Sequence, residues 1–308
     1  LNIVITGGAG FIGSALALRL KSSHDVTVVD AFTDYYDISL KRKRADLLLD
    51  HGIQVKEGDV HLPWFKEWCK NQKFDALFHL AALPGVPKSL EDPHRYIQED
   101  IGMTVTVLEA VREAGIPRFF FASSSSVYGE QSGPVREKDA TGDVVSPYAA
   151  AKYGAESFCR SYQHLYGFDV TIFRFFTVYG PMGRPDMALD RFAKQALSGE
   201  PLSLFGDPVR DFTYIDDITQ GMEQALEHGA VGTYNLGAGL PTRLSEIAER
   251  LAARYGLELV REEKRPGDVS LTWSDCSAAE AAFGYRPCVT INQGLKQVLS
   301  WHEQQIFA

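Results

Sequence analysis

Leu1-Asn2-Ile3-Val4-Ile5-Thr6-Gly7-Gly8-Ala9-Gly10-Phe11-Ile12-Gly13 decides how the first half of the chain is read. Leu1 to Thr6 has the continuous apolar character of a strand buried on both faces. Phe11 to Leu20 reads as a helix, with Ile12, Ala15, Leu16 and Leu20 on one face. Glycines fill the turn between them. Gly8, Gly10 and Gly13 fit G-x-G-x-x-G, and Gly7, Gly10 and Gly13 fit G-x-x-G-x-x-G. Glycine allows a tight turn, close backbone approach to a pyrophosphate, and close packing of helix on strand. The helix N-terminus adds free N–H groups and a partial positive charge. A glycine triplet alone reports only a tight turn. Here Asp30 closes the next strand, Val26 to Asp30, 17 residues after Gly13. That is near the spacing expected for a carboxylate on an adenosine ribose. The stretch therefore predicts a dinucleotide site, with Gly7, Gly10, Phe11, Ile12 and Gly13 at the diphosphate and Asp30 at the ribose. A carboxylate accepts from both ribose hydroxyls and repels a 2′-phosphate, so Asp30 favours NAD over NADP. Asp59, in Gly58-Asp59-Val60, reads either as an acceptor for the adenine amino group or as an ordinary turn residue.

Working outward, further strands are expected at Ile53–Val55, Ala76–Leu80, Arg118–Ala122 and Val170–Phe175. Helices fit Leu40–Leu49, Pro93–Ala114 and Pro147–Leu165. Strands separated by helical crossovers imply a mostly parallel sheet covered on both faces. After Phe176, glycines, prolines and charges break the pattern, and helices are expected at Ala188–Leu197, Asp216–Glu227, Leu244–Tyr255 and Gln293–His302. The expected fold is α/β: a Rossmann-type doubly wound parallel sheet over 1–176, with a smaller mixed α/β C-terminal substrate domain over 177–308, some of whose segments return to the first. The basic run Lys41-Arg42-Lys43-Arg44 reads as a solvated helix face.

The 308 residues are 45% hydrophobic and 23% charged, an ordinary globular balance that excludes disorder as the main state. A net charge of −9 argues against nucleic acid as the partner and requires local cations for any anionic ligand. Cys69, Cys159, Cys276 and Cys288 form no Cys-x-x-Cys pair and have no histidine cluster, so they read as reduced packing residues, with no metal site. No apolar run reaches the ~20 residues of a membrane span. No leader-like segment precedes the first strand, and the expected compartment is the cytoplasm.

The chemistry is expected around Tyr148-Ala-Ala-Ala-Lys152. Ser146 is a natural N-cap, Pro147 fits the first helical position, and i, i+4 spacing puts Tyr148 and Lys152 on one face. A phenol with pKa ~10 is a poor base at neutral pH, and each unit of lowering by a nearby ammonium corresponds to ~1.4 kcal/mol. Alone, the pair is equally an ordinary amphipathic helix. However, Ser123-Ser124-Ser125-Ser126 closes the strand before it, where ligands sit in a doubly wound sheet. Four hydroxyls there suit a polyhydroxylated substrate.

These three features together resemble the extended short-chain dehydrogenase/reductases of the nucleotide-sugar epimerase and dehydratase type. His79-Leu80-Ala81-Ala82, Arg174-Phe-Phe-Thr-Val-Tyr-Gly-Pro181, Arg210-Asp-Phe-Thr-Tyr-Ile-Asp-Asp217 and Arg265-Pro-Gly-Asp268 extend the resemblance over nearly the whole chain. It implies that Tyr148 is the catalytic base, that Ser124 assists proton transfer, and that Lys152 binds the nicotinamide ribose. It places Asp59, Val60, Leu80, Ala81 and Ala82 along NAD, Arg210 and Arg265 on the substrate diphosphate, and Asp268 on the nucleotide ribose. A homodimer built from the helices at Pro93–Ala114 and Pro147–Leu165 is also implied.

Within this family, 4,6-dehydratases usually carry Asp-Glu before Val-Tyr-Gly, and UDP-glucuronate decarboxylases a Glu. This chain has Ser125-Ser126. The segments Asp34-Tyr35-Tyr36-Asp37, Ser123 to Gly129 and Phe175 to Ala188 most resemble UDP-glucuronate 4-epimerases. Thr177 stands where UDP-galactose 4-epimerases usually have Asn, and Thr177 with Arg184 hints at a charged sugar. The expected reaction is NAD-dependent C4 epimerisation of UDP-glucuronate through a 4-keto sugar, with Ser125, Ser126 and Thr177 on the substrate carboxylate and Arg184 nearby on the substrate side. The alternatives are a UDP-glucose or UDP-N-acetylglucosamine 4-epimerase, a UDP-glucuronate decarboxylase, or a dinucleotide sensor without turnover.

Overall fold

The computed structural model describes residues 1–306, with side chains described to residue 305. The glycine-rich segment joins β1 (Asn2–Thr6) to α1 (Phe11–Leu20) and then β2 (Asp25–Asp30). Next come α2 (Ile38–Asp50), β3 (Gln54–Glu57), α3 (Pro63–Asn71), β4 (Ala76–His79), α4 (Val86–Glu91), α5 (Pro93–Tyr96), α6 (Met103–Ala114) and β5 (Arg118–Ser124). The long α7 (Pro147–Tyr166) leads into β6 (Asp169–Phe175) and β7 (Thr177–Tyr179). Beyond these lie α8 (Ala188–Ser198), β8 (Leu202–Phe205), β9 (Val209–Tyr214), α9 (Ile215–Glu227), β10 (Gly232–Leu236), β11 (Pro241–Arg243), α10 (Leu244–Tyr255), β12 (Leu259–Glu262), α11 (Ser277–Phe283) and α12 (Ile291–Ile306).

Seven strands form one sheet in the order β10-β6-β5-β4-β1-β2-β3. All its pairings are parallel. From β1 the chain runs outward to β3 on one side, and from β4 outward on the other. The strand order therefore reverses between β1 and β4, and the crevice at their carboxyl ends is where such sheets bind ligands. The central strands are buried on both faces: Ile3, Val4, Ile5, Leu77, Phe78, Phe119 and Phe120 are shut off from solvent. Phe120 stacks on Phe78 at 4.3 Å and lies 6.0 Å from Phe173, an aromatic layer that ties β4, β5 and β6 together. The edge strand β10 comes from the second half of the chain, and one apolar core runs from Ile3 to Leu299. The second half also forms a three-stranded sheet, β11-β9-β7, and a two-stranded one, β12-β8.

The expected helix at Pro93–Ala114 is interrupted. Residues Ile97–Gly102 form a π-turn between α5 and α6. Asp100 is turned inward there and accepts from Leu83 N at 2.8 Å, while its own carbonyl accepts from Thr104 Oγ1. The two short helices at Pro63 and Val86 lie outside the expected set, as do α11 and the short strands of the second half.

The basic run is not a solvated face. Lys41 and Arg44 are buried, and only Arg42 and Lys43 are exposed. Lys41 and Arg44 share a helix face with buried Ala45 and Leu48, so both cations turn inward. All four cysteines are free. Cys69 and Cys159 are core residues, and burial pushes the Cys69 thiol up to about 12. Cys288, by contrast, is exposed rather than packed. Among the described residues, no helix is long and apolar enough to cross a membrane, and no cluster of His, Cys, Asp and Glu has the makings of a metal site.

Candidate active site

Gly7 sits at φ +70°, where a side chain is strained. A Cβ on it would lie 2.6 Å from Ala81 N, so the ends of β1 and β4 close directly on each other. A Cβ on Gly10 would meet Gly7 O at 2.9 Å, and one on Gly13 would meet it at 2.3 Å. Gly10 caps α1 without a side-chain bond, which leaves the first-turn N–H groups free for an anion. The cradle thus fits a dinucleotide diphosphate. Asp30 is buried at the end of β2 and accepts from Ala9 N at 3.0 Å and Phe32 N at 2.8 Å, which locks the carboxylate beside the turn. Phe11 and Val60 point into the core, so only their backbone faces the crevice. Ile12, Leu80, Ala81 and Ala82 are partly exposed at its edge. Asp59 makes a turn: its Oδ1 accepts from His61 N at 2.8 Å, which leaves Oδ2 free of that bond.

Ser146 caps α7, accepting from Ala149 N at 3.2 Å. Tyr148 is half-buried in the first turn. Lys152 follows one turn later, buried, with Nζ donating to Ala122 O at 3.3 Å and lying 5.4 Å from the Phe121 ring. Its charge acts on two neighbours. Burial raises the Asp100 carboxyl and Lys152 pulls it back, while burial, helped by Lys152, depresses the His79 imidazole to about 3. His79 is therefore neutral, and its Nδ1 pairs with Thr6 Oγ1 at 2.7 Å.

The four serines part company. Ser123 is buried and donates to Glu156, so it is unavailable to a ligand, contrary to the expectation of four hydroxyls suited to a polyhydroxylated substrate. Alternation along β5 sends Ser123 and Ser124 to opposite faces. Ser124 shares a hydrogen bond with Ser126, and Ser124, Ser125 and Ser126 stay partly exposed. Below them, Glu156 on α7 accepts from Arg174 Nε at 2.9 Å and Nη2 at 2.8 Å. Arg174 also donates to Tyr128 Oη at 3.0 Å and Glu137 O at 2.7 Å. This buried ion pair fixes α7 on β5 and β6, and residue-by-residue reading missed Glu156 because its partners are distant in sequence.

Two arginine groups supply the local cations. Arg184 forms a two-point ion pair with Asp186, Nε to Oδ1 at 3.0 Å, and its guanidinium carbon is 6.0 Å from the Tyr35 ring. Tyr35 and Tyr148 both lie close enough to Arg184 to favour its charged form, and Tyr96 packs edge-on to Tyr148 at 6.2 Å. Arg210, Arg265 and Asp268 form the second group: burial raises the Asp268 carboxyl, and both arginines oppose it. Arg265 stacks on Phe205 at 4.0 Å. A Cβ on Gly267 would lie 3.6 Å from Ser146 Cβ, so this turn reaches the start of α7. Arg191 joins the group unforeseen; burial, with Arg265 adding to it, lowers its pKa, and its Nε is buried without a partner. Thr177 lies at the start of β7, partly exposed, paired in register with Phe212 of β9.

Comparison with known proteins matches residues 3–237 to the NAD dependent epimerase/dehydratase family. The chain belongs to that family. Among its relatives, UDP-glucuronate 4-epimerase 2 of Arabidopsis thaliana is 39% identical over 328 residues, covering 98% of this chain and 76% of that protein. UDP-glucuronate 4-epimerase of Thermodesulfobacterium geofontis (strain OPF15) is 38% identical, covering 98% of this chain and 96% of its own length. The crystal structure of UDP-glucuronic acid 4-epimerase from Bacillus cereus, in complex with UDP-glucuronic acid and NAD, superposes with a TM-score of 0.92 at 35% identity, covering 99% of this chain and 100% of that one. The doubly wound sheet is the frame shared with these relatives.

Proposed function

We propose that this chain interconverts UDP-glucuronate and UDP-galacturonate by reversible oxidation at C4, retaining both NAD and the sugar carboxylate. The observation that carries the reading is the neighbourhood of Tyr148. Arg184 lies close enough to Tyr148 for its charge to feel the phenol, and positions 125 and 126, just past the end of β5, carry hydroxyls in place of an acid.

Gly7, Gly10, Gly13 and the α1 N-terminus would hold the NAD diphosphate, with backbone of Phe11 and Ile12 alongside. Asp30 would hold the adenosine ribose, Asp59 and Val60 would lie by the adenine, and Leu80, Ala81 and Ala82 would line the nicotinamide half. NAD held there would supply the hydride acceptor, and then the hydride donor, for C4. Lys41 donates to Thr33 O and Oγ1 at 2.9 Å and so is turned away from a 2′-phosphate, and Arg42 pairs with Glu57 at the surface.

Tyr148 takes the proton of the sugar 4-hydroxyl and returns it after the 4-keto sugar has turned its other face. Ser124 would assist that proton transfer, and Lys152 would hold the nicotinamide ribose. Arg210 and Arg265 take the substrate diphosphate, where guanidinium–phosphate bonds outweigh the net charge of −9. Asp268 takes the nucleotide ribose.

The 4-keto intermediate of a uronate is a β-keto acid, and loss of CO₂ moves charge from the carboxylate into the carbonyl. Ser125, Ser126, Thr177 and Arg184 keep that charge on the carboxylate. Each such charge-assisted bond is worth ~1.5–3 kcal/mol.

Residues 1–176 serve as the cofactor unit and 177–308 as the substrate unit, with β10 returned to the first sheet. A homodimer fits the exposed apolar side chains along α7 and the π-turn: Ile97, Phe158, Leu165 and Tyr166.

The test is purified protein with UDP-glucuronate and no added NAD, followed by separation and mass of the products. A new UDP-sugar of unchanged mass supports the proposal. UDP-pentose with CO₂, or turnover of neutral UDP-sugars in preference to the uronate, overturns it.

A further inference from the structure

Among the described residues, Arg44 is the largest side chain wholly shut off from solvent, and neither the proton-transfer scheme nor the diphosphate cluster uses it. It lies at the meeting point of three segments. Its Nη1 donates to Tyr36 Oη at 2.6 Å and to Ala9 O, inside the glycine turn, at 3.3 Å. Its Nη2 donates to two successive carbonyls, Met182 O at 2.5 Å and Gly183 O at 3.3 Å. The next residue is Arg184.

The segment so held is unusual in its own right. Met182 has φ +58°, the left-handed region that a residue with a side chain seldom adopts. Gly183 has no room for a side chain, because its Cβ would lie 2.2 Å from Asp190 Oδ2. Arg44 from one side and Asp190 from the other therefore clamp this turn. Its two carbonyls point at the guanidinium, which fixes the direction in which the chain leaves toward Arg184.

We propose that Arg44 is a positioning residue that holds the Met182–Gly183 turn and so aims Arg184 at the substrate carboxylate, while tying that turn to the glycine turn of the dinucleotide site. Through it, the loop that reads the sugar's charge and the loop that reads the cofactor share one buried cation. This rests on Arg184 contacting the carboxylate, as proposed above.

Loss of the guanidinium acts on substrate binding more than on the proton transfer. Arg44→Met keeps the length and removes every donor, while Arg44→Lys keeps the charge and can satisfy fewer of the four acceptors. The experiment measures KM and kcat for UDP-glucuronate in R44M, R44K, R184Q and the double variant R44M/R184Q, with bound NAD and the circular dichroism spectrum of each recorded.

Loss of charge-assisted bonds predicts a KM for UDP-glucuronate raised ~10-fold or more in R44M, with kcat much less changed, and a smaller rise in R44K. If Arg44 acts through Arg184, the double variant is no worse than R184Q. A wild-type KM in R44M overturns the proposal. If R44M does not fold, a wild-type KM in R44K does the same. Losses that add in the double variant overturn the positioning role alone and leave Arg184 in place. A neutral R184Q overturns the assignment of Arg184 to the carboxylate, and the positioning role with it.

Discussion

Glu156→Gln removes a single charge from the inside of α7, and its consequence can be worked out from the contacts. The Glu156 carboxylate is fully buried and accepts from Arg174 Nε at 2.9 Å, Arg174 Nη2 at 2.8 Å, Ser123 Oγ and Arg160. Arg174 is itself only 2% exposed, so the amide leaves a guanidinium buried without its counter-charge. Breaking one side of such a pair costs ~3–5 kcal/mol. Unfolding entropy of ~2.1 cal/mol/K per residue over 308 residues is ~0.65 kcal/mol/K, so the melting temperature falls by ~5–8 °C. Scanning calorimetry reads this directly, with NAD content matched between samples, because bound ligand also raises the melting point. Replacing both partners with methionine removes the stranded charge, so E156M/R174M loses less than the two single changes summed. A melting point for E156Q within about 1 °C of wild type would refute the view that this pair anchors α7.

Tyr148→Phe lowers kcat by ~10²–10⁴ with NAD retention unchanged; single-turnover kinetics with cofactor quantification checks both. Ser126→Ala or Thr177→Ala removes a donor from the substrate carboxylate and raises the ratio of CO₂ release to epimerisation by ~10–100-fold, and an unchanged ratio speaks against that role. His79 is neutral in the fold, with its pKa depressed to about 3, whereas an unfolded imidazole protonates near 6.5. Its contribution to stability is therefore complete above pH ~6.5 and shrinks by ~1.4 kcal/mol per unit as pH falls toward ~3. Urea midpoints against pH should show a shallower acid limb in His79→Gln, and an unaltered limb would count against the shift.

The parts of the molecule legible in the sequence are those fixed by short-range rules. The glycine turn is legible because Gly7 needs a positive φ, and Gly10 and Gly13 lack room for a side chain. The start of α7 is legible because Ser146 and Pro147 are cap residues, and the capping bond to Ala149 N is present. What stayed hidden depends on distant partners. Arg44 looks like surface charge until Met182 and Gly183, 138 and 139 residues away, supply its acceptors. The signal that could have found it is the shared face of Lys41, Arg44, Ala45 and Leu48. Ser123 looks like its three neighbours until Glu156, itself held by Arg174, claims it. The π-turn at Ile97–Gly102 follows from an inward Asp100 on Leu83 N, which no periodicity within the helix encodes.

The central claim is that hydride leaves C4 and returns to the same carbon on its other face, with nothing lost from the sugar. UDP-[4-²H]glucuronate incubated with the protein in ordinary water, without added NAD, tests it most directly by NMR and mass of the product. The account predicts UDP-galacturonate that keeps its deuterium at C4, at the mass of the starting sugar. Product that has exchanged the label for solvent hydrogen, or that has shed CO₂, would contradict it.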